Sequence, residues 1–225
     1  MASDAAGPVR CRALLFDLDG TLADTAPDLA GALNALLAEL GRPPLPYAAI
    51  RPHVSHGARA LIRLGLDLGD GDPEFAPLHL RFLEIYRGAI AVETRLFDGM
   101  EALLATAEAR GIPWGVVTNK PARLTDPLME ALGLTARAGC IVSGDTTAHA
   151  KPHPEPMFHA SREVGVPPES CLFVGDAERD IEAARRAGMR SLVARFGYIG
   201  PDDRPETWGA DGQVDSPAEI AAWIA

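Results

Sequence analysis

The sequence predicts an α/β protein: a parallel-sheet core with helices between its strands, and an all-helical module inserted into it. Three observations predict this. Five short apolar runs lie along the chain, at Ala13–Phe16, Ile112–Thr118, Cys140–Ser143, Cys171–Gly175 and Ser191–Ala194. They are continuous rather than alternating, as parallel strands covered on both faces are. Helix-length patterns separate most of them, at Gly99–Arg110, Ala122–Leu132, Glu155–Val164 and Ala177–Ala187. That alternation folds through right-handed crossovers into one parallel sheet. The exception is the interval between the first two runs, where residues 17 to 111 are far too many for a single crossover.

The interval reads as helical over residues 25–97, leaving residues 1–24 and 98–225 for the core. Pro27 stands where a first helical turn tolerates proline, with Asp24 or Thr25 as the cap. Leu29, Leu33, Leu36, Leu37 and Leu40 recur at helical spacing, and Gly41 stops the run. Arg42 to Pro46 is a stiff turn. Ala58–Leu66 and Pro73–Ile90 are further amphipathic helices. The hinges of this module are expected at Leu22–Thr25 and Glu93–Phe97.

Of 225 residues, 47% are hydrophobic and 23% charged, as in ordinary globular proteins. No apolar window is long enough to span a membrane. Met1 to Val9 lack the charged start and apolar core of a secretory signal. Cys11, Cys140 and Cys171 are odd in number and show no Cys-x-x-Cys spacing. Buried free thiols in a reducing cytoplasm are the expectation. The net charge of −10 argues against a nucleic-acid partner, because phosphate backbones need a basic face. Nor is an anionic substrate favoured in general. A site for one must be locally positive.

Asp17-Leu18-Asp19-Gly20-Thr21 carries the most chemistry. It ends the first apolar run, so a buried strand delivers two carboxylates to a sheet edge. A spacing of two puts both on one side of an extended backbone. Carboxylates held so close repel unless a cation lies between them or one is protonated. The first arrangement suits a nucleophile, and the second a general acid and base. Gly20 permits a sharp turn, and Thr21 offers a hydroxyl. A lone Asp-x-Asp is more often an acidic turn, but the longer string after a strand reverses that preference. Val116-Val117-Thr118-Asn119 ends the second run with a hydroxyl, Lys151-Pro152 supplies a cation, and Phe173-Val174-Gly175-Asp176 with Asp180 supplies further carboxylates.

These four ordered motifs resemble those of the haloacid dehalogenase superfamily, most of whose members are phosphatases. The resemblance implies a Rossmann-like core with a helical cap over residues 25–97. Asp24-Thr25-Ala26-Pro27-Asp28-Leu29 and Thr118-Asn119-Lys120-Pro121 resemble the phosphoglycolate phosphatase group. Ser55–Arg59, Leu96–Met100, Trp114–Pro121, Gly197-Tyr198-Ile199 and Trp208-Gly209-Ala210-Asp211 resemble the phosphatases of N-acetylmuramic acid 6-phosphate in peptidoglycan recycling. Ala177-Glu178-Arg179 before Asp180 departs from the usual phosphoglycolate pattern.

The resemblance implies roles. Asp17 is the nucleophile and Asp19 the general acid and base. Mg²⁺ takes the Asp17 carboxylate, the Asp19 carbonyl and Asp176, with Asp180 in the same metal cluster or orienting Lys151. Thr118 and the Asn119 amide hold the phosphoryl group, Lys151 offsets its charge, and Thr21 assists binding. In the cap, Ser55, His56, Gly57 and Arg59 face the substrate. Arg59 pairs with a carboxylate on a small phosphorylated metabolite, N-acetylmuramic acid 6-phosphate ahead of phosphoglycolate; for His56 and Arg59 a capped helix with a surface arginine is the other reading. A phosphosugar mutase and a non-catalytic phospho-ligand binder are the alternatives. A dehalogenase needs neither Asp19 nor metal.

Lysine usage gives an internal check. Of 21 basic residues only Lys120 and Lys151 are lysine. An ammonium acts as a compact point charge where a guanidinium is too wide. Both lysines fall beside motifs. For Lys120, a role in the site and a surface position at its mouth are both open. Glu178 reads as solvated. A calcium loop starting at Asp67 fails, because Asp72 and Leu78 occupy its glycine and bidentate-carboxylate positions. His149, His153 and His159 lie near no cysteine and between prolines, so a structural or exposed role is expected rather than zinc.

Overall fold

The computed structural model describes residues 11–224. The reading of Met1 to Val9 as lacking the features of a secretory signal falls outside them. β1 (Ala13–Phe16) is central in a six-stranded sheet of order β5-β4-β1-β6-β7-β8, formed with β4 (Trp114–Val117), β5 (Cys140–Val142), β6 (Cys171–Gly175), β7 (Arg190–Ala194) and β8 (Gly212–Val214). Every pairing is parallel. Phe16 is level with Val116 on one side and Val174 on the other. The residues that follow these strands, Asp17, Thr118 and Asp176, therefore emerge together at one sheet edge. β1, β4 and β6 are buried along their whole length, which matches their unbroken apolar sequence. β8 is absent from the sequence reading: Gly-Gln-Val carries too little apolar signal for a strand.

Helices α5 (Met100–Ala109), α6 (Ala122–Ala131), α7 (Glu155–Glu163) and α8 (Glu178–Arg186) follow the expected patterns to within two residues, and α9 (Pro217–Ile220) closes the chain. Trp114 is fully buried, and its indole N–H donates to Glu108 Oε1 at 2.9 Å. A buried aromatic or aliphatic side chain of this kind contributes about 1.5–3 kcal/mol.

The insertion holds α1 (Ala26–Glu39), α2 (Tyr47–Ile50), α3 (Gly57–Leu66) and α4 (Phe75–Gly88), with a 3₁₀ stretch at Arg51–His56. Leu29, Leu33, Leu36 and Leu37 of α1 pack on α3 and α4 in a cluster that also holds Phe82 and Tyr86. Leu40, counted in that stripe, lies past the helix end and is exposed. Gly41 adopts φ 67°, and its N–H donates to Ala38 O, so it does stop the helix.

Both expected hinge segments join in an antiparallel pair, β2 (Ala23–Asp24) with β3 (Arg95–Leu96). The expected cap of α1 is corrected. Thr25 occupies the cap position, but its hydroxyl donates to Asp19 Oδ1 at 2.6 Å. The Ala26 N–H donates instead to the Tyr198 hydroxyl at 2.9 Å, and that hydroxyl donates to Asp24 Oδ1 at 2.7 Å. Asp28 accepts from the Glu93 and Thr94 N–H groups, which braces the second crossing against α1.

Candidate active site

A cavity of about 60 Å³ lies where the insertion meets the sheet edge. Asp17, Asp19, Thr118, Asn119 and Lys120 line it from below, and Ser55 from above. Gly20, at φ 88°, turns the chain beneath it. A Cβ at Gly20 would overlap the Asp176 carboxylate, so only glycine fits.

Asp17 is buried and accepts from Lys151 Nζ at 2.8 Å. The same ammonium donates to Val117 O at 2.7 Å and pairs with Asp180 Oδ1 at 2.8 Å. Burial pushes the Asp17 carboxyl above the ordinary carboxylate range, against the pull of Lys151. Burial alone would lower the Lys151 ammonium, but Asp17 and Asp180 outweigh it and hold it charged. Asp180 Oδ2 also accepts the Ala177 N–H at 3.1 Å. Asp180 Oδ1 makes that ion pair with Lys151 but, like Asp176 Oδ1, has no hydrogen-bond partner among the described residues.

Asn119 lines the cavity. Its side chain donates to Lys151 O and accepts from Lys151 N, each at 2.9 Å, so it clamps the lysine's backbone. Thr118 Oγ1 accepts the Lys120 N–H at 3.1 Å. Lys120 is no surface residue. Its side chain is 7% exposed, its Nζ lies 2.8 Å from Asp19 Oδ1, and it sits 4.6 Å over the Tyr86 ring. Burial opposes its charge, but Asp19 and Tyr86 raise its proton affinity above the ordinary lysine value.

Asp176 accepts Ser55 Oγ at 2.6 Å and the Tyr198 N–H at 2.8 Å on Oδ2. Its Oδ1 is buried with no hydrogen-bond partner among the described residues. Burial, then Asp17 and Asp180, push this carboxyl up to about 7. Ligand oxygens of Asp17, Asp176 and Asp180 lie within 4.8 Å of one another. An orphaned, buried carboxylate oxygen inside such a cluster fits a hard divalent cation.

Residues 11–188 match the family model described as haloacid dehalogenase-like hydrolase. The chain belongs to that family. Over 212 residues it is 46% identical to the N-acetylmuramic acid 6-phosphate phosphatase of Pseudomonas putida, covering 94% of this chain and 95% of that one. It is also 44% identical to the phosphoglycolate phosphatase of Xanthomonas campestris pv. campestris over 215 residues, 94% and 97% of the two chains. The crystal structure of a predicted phosphoglycolate phosphatase from Haemophilus somnus superposes with a TM-score of 0.82 at 28% identity, covering 93% of this chain and 96% of that one.

Several expected binding residues of this hydrolase lie elsewhere. Thr21 Oγ1 is buried without a hydrogen-bond partner among the described residues and does not line the cavity. Arg59 pairs with Asp70 at 3.2 Å, stacks on Phe75 and is more than half exposed. The acidic turn that fails as a calcium loop is what captures it. His56 and Gly57 are exposed and do not line the cavity either. Nothing approaches within 4 Å of a Cβ at Gly57, so its positive φ of 80° explains the glycine better than close backbone approach. Although the residue is exposed overall, partial burial of its imidazole and the neighbouring Arg179 hold His56 below its ordinary value. Trp208 packs on Ile181 and Val193, away from the cavity. Glu178 is exposed, as expected. His149 and His153 stack at 4.3 Å and His149 pairs with Glu155, all at the surface, and His159 pairs with Glu163. These three residues His149, His153 and Glu155 could in principle hold a metal ion, but they lie apart from the cavity.

Two contacts escape sequence reasoning. Arg179 lines the cavity and donates to the Ser55 carbonyl across the boundary. Arg51 donates to Gly197 O and Phe196 O and lies 4.9 Å over the Tyr198 ring. With arginine the default cation of this chain, neither position stands out in the sequence.

Proposed function

We propose that this chain is a cytoplasmic, Mg²⁺-dependent phosphomonoesterase acting through an aspartyl-phosphate on Asp17. Its substrate is a small phosphorylated metabolite bearing a carboxylate, N-acetylmuramic acid 6-phosphate, with phosphoglycolate as the alternative. The observation that carries the reading is the placement of Asp17 and Asp19 on one cavity with Lys151 fixed against Asp17. The relatives' names support the substrate class, and the three free cysteines support a reducing compartment.

The residues divide the chemistry. An Asp17 oxygen attacks phosphorus, the bond from phosphorus to the leaving oxygen breaks, and Asp19 gives that oxygen its proton. Asp19 then takes a proton from water, which releases phosphate and restores the Asp17 carboxylate. Asp17, the Asp19 carbonyl and Asp176 would hold Mg²⁺, which supplies positive charge to the phosphoryl oxygens. Lys151 and Thr118 meet the same developing charge. Residues 25–97 act as a cap on the β2–β3 hinge. A cavity of 60 Å³ holds about two waters, so the cap opens to admit a sugar phosphate.

Phosphate release from N-acetylmuramic acid 6-phosphate, phosphoglycolate and simple hexose phosphates, each with and without chelator, tests the reading. Release without any activating sugar bisphosphate separates a phosphatase from a mutase. No release from any of them would remove the proposal.

A further inference from the structure

The cavity's cations are not equivalent. The Lys151 ammonium donates to Asp17 and Val117 O and is ion-paired with Asp180. Lys120 is committed to Asp19. Arg179 has no carboxylate within 4.0 Å among the described residues, and its guanidinium donates to the Ser55 carbonyl. That bond uses one of five guanidinium donors. Its backbone belongs to the core at α8, while its tip reaches the cap segment. With phosphorus facing Asp17, that boundary is where a leaving group lies. Arg59, the sequence candidate for reading the substrate's acid, is held by Asp70 instead.

We propose that Arg179 is the specificity-determining residue that binds the carboxylate on the substrate's leaving group. The inference rests on the phosphomonoesterase reading above. A guanidinium presents two parallel N–H donors that match a carboxylate, which neither lysine of the site can do. The cap's own contribution is then the Ser55 carbonyl, which aims the guanidinium.

The test uses matched ligands on the Mg²⁺-loaded Asp17→Asn protein, where turnover does not intervene. N-acetylmuramic acid 6-phosphate and N-acetylglucosamine 6-phosphate differ by the lactyl ether that carries the carboxylate. Phosphoglycolate and ethyl phosphate form a second pair. Calorimetry should show preference for the carboxylated member of at least one pair. Adding Arg179→Gln should cut that preference about tenfold or more. Arg179→Lys should leave it intermediate, and circular dichroism checks that each variant folds. Equal loss on both members, an unchanged ratio, or no preference before substitution overturns the assignment. An unchanged ratio alongside phosphate release by the Asp17 enzyme removes Arg179 and keeps the phosphatase. A collapsed ratio without release from any phosphomonoester does the reverse.

Discussion

Lys120 Nζ lies 2.8 Å from Asp19 Oδ1, and Thr25 Oγ1 donates to that same oxygen at 2.6 Å. The carboxylate proposed to move protons is thus fixed by a core lysine and by the residue that opens the cap's first helix.

Lys120→Met should lower kcat about ten- to a hundredfold with less effect on KM, because it releases an oriented proton donor rather than a binding contact. Lys120→Arg should not restore activity, since the planar guanidinium does not fit between Asp19 and the Tyr86 ring. Steady-state kinetics on a substrate from the panel decides it. A matching rise in KM with kcat unchanged would assign Lys120 to substrate binding.

Asp17→Asn should abolish turnover while the protein stays folded, because the amide removes the attacking anion. Asp19→Asn should cost about a hundred- to ten-thousandfold in kcat. Acid-quenched protein from the Asp19→Asn variant should carry a labile phosphoryl group after exposure to labelled substrate. Most of the activity surviving in pure, Mg²⁺-loaded Asp17→Asn would end the covalent mechanism.

Chelation should inactivate the enzyme and added Mg²⁺ should restore it. Asp176→Ala should raise the Mg²⁺ concentration for half-maximal activity more than Asp180→Ala, since Asp176 Oδ1 has neither a hydrogen bond nor an ion pair among the described residues while Asp180 Oδ1, also without a hydrogen bond, is ion-paired with Lys151. Asp180→Ala should act mainly on kcat, by freeing Lys151. Mg²⁺ titrations of both variants measure this. The reverse order would place the cation on Asp180.

The Asp176 carboxyl, raised to about 7 from an ordinary 3.8, gives chelator-treated protein a pH signature. The folded state binds this proton more tightly than the unfolded chain does. Its contribution to stability therefore falls as pH rises from about 4 to 7. Asp17, also raised, acts in the same sense, while His56 and His79, lowered by burial, act oppositely below 6.5. Asp176→Asn removes one contribution. In thermal melts with chelator it should stabilise the protein more at pH 7.5 than at pH 5. Mg²⁺ should likewise raise the parent's Tm more at pH 7.5. A variant effect independent of pH would contradict the raised carboxyl.

The motifs after β1, β4 and β6 were legible because a strand buried on both faces leaves an unbroken apolar run, and the run stops where chemistry begins, whereas Lys151, in the loop beyond β5, stood out through the resemblance and the scarcity of lysine. Phe16-Asp17 and Gly175-Asp176 are such stops. The helical insertion was legible from its length and the leucine stripe of α1. The two-residue strands β2 and β3 carry no periodicity to read, and β8 is short and polar. Partners far apart in the chain were the other limit. Asp19 and Lys120 are 101 residues apart, Ser55 and Arg179 124. Helical spacing shows that Arg59 is on a helix surface, yet only the fold shows that Asp70 takes it from the cavity.

Tyr198 links the proposed hinge to the proposed metal cluster by hydrogen bonds. Its hydroxyl joins Asp24 of the hinge to the first N–H of α1, its ring carries Arg51 of the cap, and its own N–H holds Asp176. A cap rotation that moves the hydroxyl's partners pulls on the residue that sets the Asp176 oxygens. If residues 25–97 move as proposed, cation affinity and cap position would share a coupling free energy, and such coupling is reciprocal. Whatever factor closure adds to Mg²⁺ affinity, Mg²⁺ adds to closure. Mg²⁺ titrations of Asp17→Asn with and without substrate would measure it, and Tyr198→Phe should shrink it. One tyrosine outside the four motifs would thereby let the enzyme sense, at its cation, whether the leaving group has been enclosed.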